Sequence, residues 1–360
     1  MKKALAILMI FALVASVAVA EISVGAWGRG MFAFVSDSED TYTTNSTSWG
    51  DPTWGAAPRI GFTLAGNSDN VGVVADFNVD GGTMNTGDNQ FIWVKPMDML
   101  KISLGNVYDD TLRGNAAFGS FNWLRPVVGA GEGEDITFSR LGIARGAQNF
   151  EIAIQPMDAF YAAVYLADVG SGFNHPEKAD NIAKNLQVAA GYTIDGIGQI
   201  KGQVYMSGGT KDAEGVIEDN QTTVEVAFNY TGMENLFVEV GFMMNTDTDV
   251  DVNETKKIAL YANYAIDAAK LHFLTIYNLL KEDDSYNFAA GVDYDLGDGI
   301  GVLADVRYYN DIWTGGEDAR ITFMAGVTKG FSNGLIGAGV EVASKGDTYW
   351  AIPVRLEYWF

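Results

Sequence analysis

The chain has no cysteine among its 360 residues. That excludes a disulfide framework and a lipidated cysteine behind a secretory signal. Histidine is nearly absent too, with only His175 and His272. Neither is accompanied by a nucleophile motif, and there is no Gly-x-Ser-x-Gly segment, so the chain does not read as an enzyme. Basic residues are half as numerous as acidic ones, 23 against 46, for a formal net charge of −23. A phosphate backbone needs a Lys/Arg excess, so nucleic acid is excluded as a partner. Only seven prolines occur, against 42 glycines and 44 aromatic residues made up of 20 Phe, 16 Tyr and 8 Trp. That balance suits many strands with short turns rather than an acidic disordered chain.

Long apolar runs are missing after residue 20, so no spanning helix of about 20 residues is available there. Before it, Lys2 and Lys3 lead into the apolar run Ala4–Val17, and Ala18-Val19-Ala20 precedes Glu21. A basic start, a short apolar stretch and an A-x-A site make residues 1–20 a secretory signal peptide. Its loss removes two lysines and no carboxylate, which leaves residues 21–360 more acidic still. These residues are read as one domain.

What the chain has instead is alternation. From Tyr349 to Phe360, Trp350, Ile352, Val354, Leu356, Tyr358 and Phe360 are all apolar. Ala351, Pro353, Arg355, Glu357 and Trp359 lie between them. Successive side chains of a strand face opposite ways, so one face is wholly apolar. In water such an edge invites aggregation. A closed barrel in a bilayer pairs the edge and gives the apolar face its solvent. The same period of two runs through residues 224–230, 236–245, 257–266, 287–296 and 300–309, where the second face mixes glycine with both signs of charge.

Connections separate by length. Short turns are expected at Asn67–Asn70, Pro96–Asp98, Pro156–Asp158, Asp195–Gly198, Thr231–Asn235, Asp267–Ala269, Gly297–Gly299 and Ser332–Gly334. Between them fall mostly longer polar segments: Ser36–Ala56, Asp80–Asp88, Tyr108–Gly146, Asp168–Lys184, Gly208–Asn220, Asp247–Thr255 and Asn310–Asp318. Short inner turns alternating with longer outer loops are the pattern of an outer-membrane barrel. The fold class is therefore all-β, a transmembrane antiparallel up-and-down β-barrel of about 18 strands, with 16 as the alternative. An even count places both termini at the periplasmic end.

In its signal segment, its alternating strands and its aromatic-terminated last strand, the chain resembles the outer-membrane porin-like barrels of diderm bacteria. Trp27-Gly28-Arg29-Gly30 and Asp110-Thr111-Leu112-Arg113-Gly114 look like stretches of spirochaete outer-membrane proteins. The resemblance implies a channel in the cell outer membrane, a last strand read by the barrel assembly machinery, lipids as surroundings and no cofactor. It leaves a homo-oligomer open. In trimeric porins the loop at the position of Tyr108–Gly146, after the fifth strand, folds inward and narrows the pore.

That segment carries Asp109, Asp110, Glu132, Glu134 and Asp135 together with Arg113, Arg125, Arg140 and Arg145. A pore wide enough for solutes needs a constriction before it can select, and opposed charges across it make a transverse field. Parity turns Arg29, Arg59, Arg307 and Arg320 inward as the wall side of that field, with Lys201, Lys257 and Arg355 and the carboxylates Glu225, Glu239, Asp293, Asp305, Glu341 and Glu357. It also turns inward Trp27, Phe91, Trp93, Tyr205, Phe237, Tyr261, Tyr309 and Trp359. The alternating carboxylates of Asp247–Glu254 lack the turn glycine and closing glutamate of a calcium loop and read as a solvated outer loop. No metal site is expected.

The expected function is an outer-membrane porin, a passive diffusion channel for small hydrophilic solutes. One alternative is a saccharide-selective channel, if the inward aromatics line up. The other is a structural or adhesive surface barrel acting through its outer loops.

Overall fold

The computed structural model describes residues 21–36, 41–46, 59–80, 83–109, 111–112, 149–167, 186–207, 221–245, 256–279, 285–310, 318–345 and 347–360. The expected signal peptide, residues 1–20, lies outside them. The described elements are all strands. The first ten are β1 (Glu21–Ser36), β2 (Thr41–Ser46), β3 (Arg59–Asn67), β4 (Val71–Asp80), β5 (Thr83–Met97), β6 (Leu100–Asn106), β7 (Asn149–Met157), β8 (Phe160–Ala167), β9 (Leu186–Ile194) and β10 (Gly198–Ser207). The remainder are β11 (Gln221–Tyr230), β12 (Leu236–Asn245), β13 (Lys256–Ile266), β14 (Ala269–Leu279), β15 (Ser285–Gly297), β16 (Ile300–Tyr309), β17 (Arg320–Phe331), β18 (Gly334–Lys345) and β19 (Asp347–Trp359).

All pair antiparallel in one sheet, and β1 meets β19 from Trp27↔Trp359 to Ser36↔Trp350, which closes the barrel. The upper half of β1 pairs with β2 and its lower half with β3. β2 and β3 are therefore two pieces of one stave, and the nineteen strands make eighteen staves, the larger of the two expected counts. The eight short turns all fall at the end where Glu21 and Phe360 lie. There Phe360 N donates to Ala26 O at 2.7 Å. Asn235, Asp267 and Asp298 hold left-handed conformations in three of these turns, which Asn and Asp tolerate.

Two connections differ from expectation. Ser36–Ala56 contains β2, and most of Asp80–Asp88 is strand, because β5 already begins at Thr83, which pairs with Asp80. Both stretches are polar and lack apolar alternation. A strand that extends a hairpin needs only ladder hydrogen bonds and not a lipid-facing row.

Alternation sorts the side chains as the sequence requires. The register partners Phe34 and Ile352 are 47% and 41% exposed on the outside, whereas the next pair inward, Val35 and Ala351, are 2% and 0% exposed. The apolar outer row continues around the barrel through Ile60, Val73, Ile92, Ile152, Val188, Val226, Phe242, Ile258, Val302 and Val354. The β18–β19 ladder lacks pairs opposite Pro353, which has no N–H to give. The inner face holds charged groups that are shielded from solvent. Glu225, Asp305, Arg307, Glu341 and Arg355 are almost wholly buried, because parity fixes a side chain's direction and not what covers it. Trp359, the register partner of Trp27, is exposed at the terminal end of β19.

Candidate functional site: the inner wall and the segment after the fifth stave

β6 is the fifth stave, and Gly105 ends its regular course with φ +127°. A Cβ there would stand 2.2 Å from Gln90 O, so only glycine lets the chain leave the sheet at this point. Residues 107–109 and 111–112 then lie on the inner wall. Asp76, at a bulge in β4, accepts from Thr63 Oγ1 at 2.6 Å and from Asn89 N and Nδ2 at 3.1 and 3.0 Å. Asn89 Oδ1 in turn accepts from Tyr108 N at 2.9 Å. The start of the segment is thereby fastened to three staves.

One residue on, Asp109 Oδ1 accepts from Thr111 N at 2.9 Å and Thr111 Oγ1 at 2.6 Å. Its Oδ2 accepts from Tyr165 at 2.6 Å and also from Tyr161, both inward-facing on β8. Burial works to raise the pKa of Asp109, but these hydrogen bonds outweigh it and hold the carboxyl below its ordinary value. Leu112 settles over β9 at Gly191, where a Cβ would come within 2.4 Å of Leu112 Cδ2. Val107, Leu112, Ala153, Ala163, Tyr165 and Ala189 form one buried cluster there. Beside it, Lys101 Nζ lies 3.4 Å from the buried Glu151.

Of the residues expected to form the constriction, Asp109 lies on the inner wall. Asp110, Arg113, Arg125, Glu132, Glu134, Asp135, Arg140 and Arg145 lie outside the described residues. The wall arginines are on an arc of consecutive staves. Arg29 and Arg59 are register partners on β1 and β3, and their guanidinium carbons stand 4.9 and 5.8 Å from the Trp27 ring. With the Asn78 amide oriented to satisfy both its ends, Asn78 accepts from Arg59 Nη2 at 3.0 Å. Arg307 Nε donates to Asp305 Oδ2 at 3.1 Å, and Arg320 stands 6.0 Å from the Tyr309 ring one strand away. Arg355 is paired with Glu357 in the same arc. Elsewhere, Lys201 Nζ meets Glu239 Oε2 at 2.9 Å, both buried. Counting round the sheet, β17 is nine staves from β8, half the circumference of eighteen. The β16–β19 part of the arc therefore faces the wall that holds Asp109, while Arg29 on β1 and Arg59 on β3 lie six and five staves from β8.

Of the aromatics expected inward, only Phe91 and Trp93 share a stave. Trp27, Phe91 and Trp93, Tyr205, Phe237, Tyr261 and Tyr309 are distributed over β1, β5, β10, β12, β13 and β16. Phe237 and Tyr261 are the described pair in ring contact, at 5.9 Å. Sequence reasoning missed Tyr161, Tyr165, Asn89, Leu112 and Gly191. The inward parity of the two tyrosines was available, as was the Asp109-x-Thr111 spacing of a side-chain-capped turn.

Compared by sequence with curated proteins, the chain matches none at a significant level. Among solved structures it is similar to the anion-selective porin from Comamonas acidovorans, with a TM-score of 0.54 at 14% identity over 95% of this chain and 100% of that one. It is also similar to in-vitro folded OmpT of Vibrio cholerae in its trimer form, with a TM-score of 0.52 at 15% identity over 95% and 100% of the two chains. A mutant of the Rh. blastica porin gives a TM-score of 0.52 at 15% identity over 94% and 100%. At such identities the likeness establishes the barrel. The family model for Gram-negative porins matches residues 4–334, and the chain therefore belongs to the Gram-negative porin family, as an outer-membrane channel.

Proposed function

We propose that this porin passes small hydrophilic solutes by passive diffusion, through a lumen narrowed by the segment 108–146. The observation that carries this reading is the course of residues 107–109 and 111–112, which follow β6 and lie along the inner wall as far as Gly191. A segment that starts inward supports placing its charges in the lumen. On this reading Asp110, Glu132, Glu134 and Asp135 join Asp109 in the lumen that Arg29, Arg59, Arg307 and Arg320 line. In a constriction with low-dielectric walls such charges act on a passing ion more strongly than in open water, where salt screens them within about 8–10 Å. Selection is by width and field, and no catalytic step is assigned. The last strand is the element that we assign to the barrel assembly machinery. We also expect a homo-oligomer, in keeping with the trimer form of the OmpT neighbour.

The purified protein in planar bilayers tests this. Neutralising Asp109, Asp110, Glu132, Glu134 and Asp135 together should move the reversal potential under a salt gradient toward anion preference. An unchanged potential would place the selectivity in the barrel wall, and absence of any ion current in the native protein would remove the channel reading.

A further inference from the structure

His272 is the described histidine, and it closes a hydrogen-bonded chain across three staves of the inner wall. On β13, Asn263 Nδ2 donates to the Tyr261 hydroxyl oxygen at 3.1 Å. The Tyr261 hydroxyl stands 3.2 Å from His272 Nδ1. On the far side of the ring, His272 Nε2 stands 3.1 Å from Asp293 Oδ2 on β15. Asp293 reaches the ring because the residue directly opposite His272 is Gly291, which leaves the space empty of side chain.

These contacts are satisfied together while the ring is neutral. An ionised carboxylate can only accept, so Nε2 carries the hydrogen toward Asp293, and Nδ1 accepts from the Tyr261 hydroxyl. A second proton on Nδ1 would meet that hydroxyl and make it turn away. Glu239 is the register partner of Tyr261 on β12. Its Oε2 holds Lys201, and its buried Oε1 has no hydrogen-bond partner among the described residues. The wall thus has an acceptor to which the hydroxyl can turn, and a carboxylate in place to face an imidazolium.

We propose that His272 is a proton-dependent determinant of the channel's charge selectivity. Taking up a proton from water adds one positive charge to the lumen wall, held by Asp293, with the Tyr261 hydroxyl rotated toward Glu239. The other charged groups facing this node are Lys270 on the same strand and, beyond Gly291, Asp305 with its partner Arg307. Carboxylates and ammonium groups ordinarily keep their charge between pH 5 and 8, whereas imidazoles change theirs there. The inference rests on the channel reading above.

The test is the reversal potential of the full-length protein in a potassium chloride gradient, measured from pH 8 to pH 5. On acidification the native channel should lose cation preference by about two-fold in permeability ratio, the size of a unit charge acting at roughly 8 Å in water. H175Q should keep that response and H272Q should lose it. Because H272Q could fail to fold, a second readout uses H175Q, in which His272 is the only histidine. Side-chain NMR of its ring in the folded barrel should show a change of charge state within the same interval. A response that survives in H272Q, or a ring that holds one charge state throughout, would overturn the proposal. A native protein that passes no current at pH 8 would instead defeat the channel reading, and the NMR measurement would still decide whether His272 takes up the proton.

Discussion

The Tyr165 hydroxyl on β8 donates to Asp109 Oδ2 at 2.6 Å, joining a residue just past the fifth stave to one two staves further round the barrel. Tyr161 donates to the same oxygen, so this buried carboxylate is fixed by hydroxyls from the wall it crosses. A buried hydrogen bond to a charged group is worth about 1.5–3 kcal/mol. Asp109→Asn and Tyr165→Phe should each lower the unfolding midpoint, and the double variant should lose less than the sum of the two. Strict additivity in denaturant titrations would mean that the pair does not act together.

Acid should release the same contact. The Asp109 carboxyl is held below its ordinary value by its hydrogen bonds, against the effect of burial. A group with a depressed folded-state pKa contributes its full stabilisation above the unfolded value, about 3.9 for aspartate, and loses it as pH falls through the folded value. Channel conductance should therefore be insensitive to this group at neutral pH and change only under stronger acid. Asp109→Asn should remove that acid step, and a step of equal size in the variant would assign it elsewhere.

Gly191 makes room for Leu112. Gly191→Ala would press a methyl against Leu112 Cδ2, an overpacking of about 1–3 kcal/mol if the leucine cannot move away. Combining it with Leu112→Ala should restore part of the loss. Thermal unfolding of the three variants distinguishes this from a general intolerance of β9, for which the second substitution would bring no recovery.

The cysteine-free chain allows the two faces to be probed directly. Single cysteines at Asp295 and Lys270, which alternate inward and are exposed near the terminal end, should react quickly with a small hydrophilic thiol reagent. Asp305, inward but buried, should react slowly, and Val302 on the outer row should be shielded by lipid. Labelling Val302 as fast as Asp295 in the inserted protein would invert the register assigned to β15 and β16.

Arginine in place of Ile352, an outward residue of β19, should reduce the amount of inserted barrel. A lipid-facing arginine costs about 2–4 kcal/mol at the bilayer midplane and less near the rims. Normal insertion in a folding assay into vesicles would count against a lipid-facing position for Ile352.

Strand direction and stave number were legible in the sequence because lipid on one side imposes a strict two-residue rhythm on nearly every stave. The rhythm fails where no lipid row is required, which is why Thr41–Ser46 and Thr83–Asp88 read as loop although the first is strand β2 and the second begins β5. The inward positions of Arg29, Arg59, Arg307 and Arg320 followed from the same alternation. Their partners did not. Whether Arg307 meets Asp305, or Asp109 meets Tyr165, depends on side-chain reach across the wall, and alternation carries no information on that. The inward course of residues 107–109 and 111–112 depends on one backbone angle at Gly105 and on the space above Gly191, neither of which alters any hydrophobic pattern.

Single-channel conductance in planar bilayers, comparing the native protein with a variant lacking residues 115–130, tests the role of the segment 108–146 most directly. The deletion keeps Asp109 and Leu112 and shortens only the chain beyond them. If the segment narrows the lumen as proposed, conductance of the deletion variant should rise. A barrel that inserts normally and conducts at the native level would show that this segment lies outside the pore.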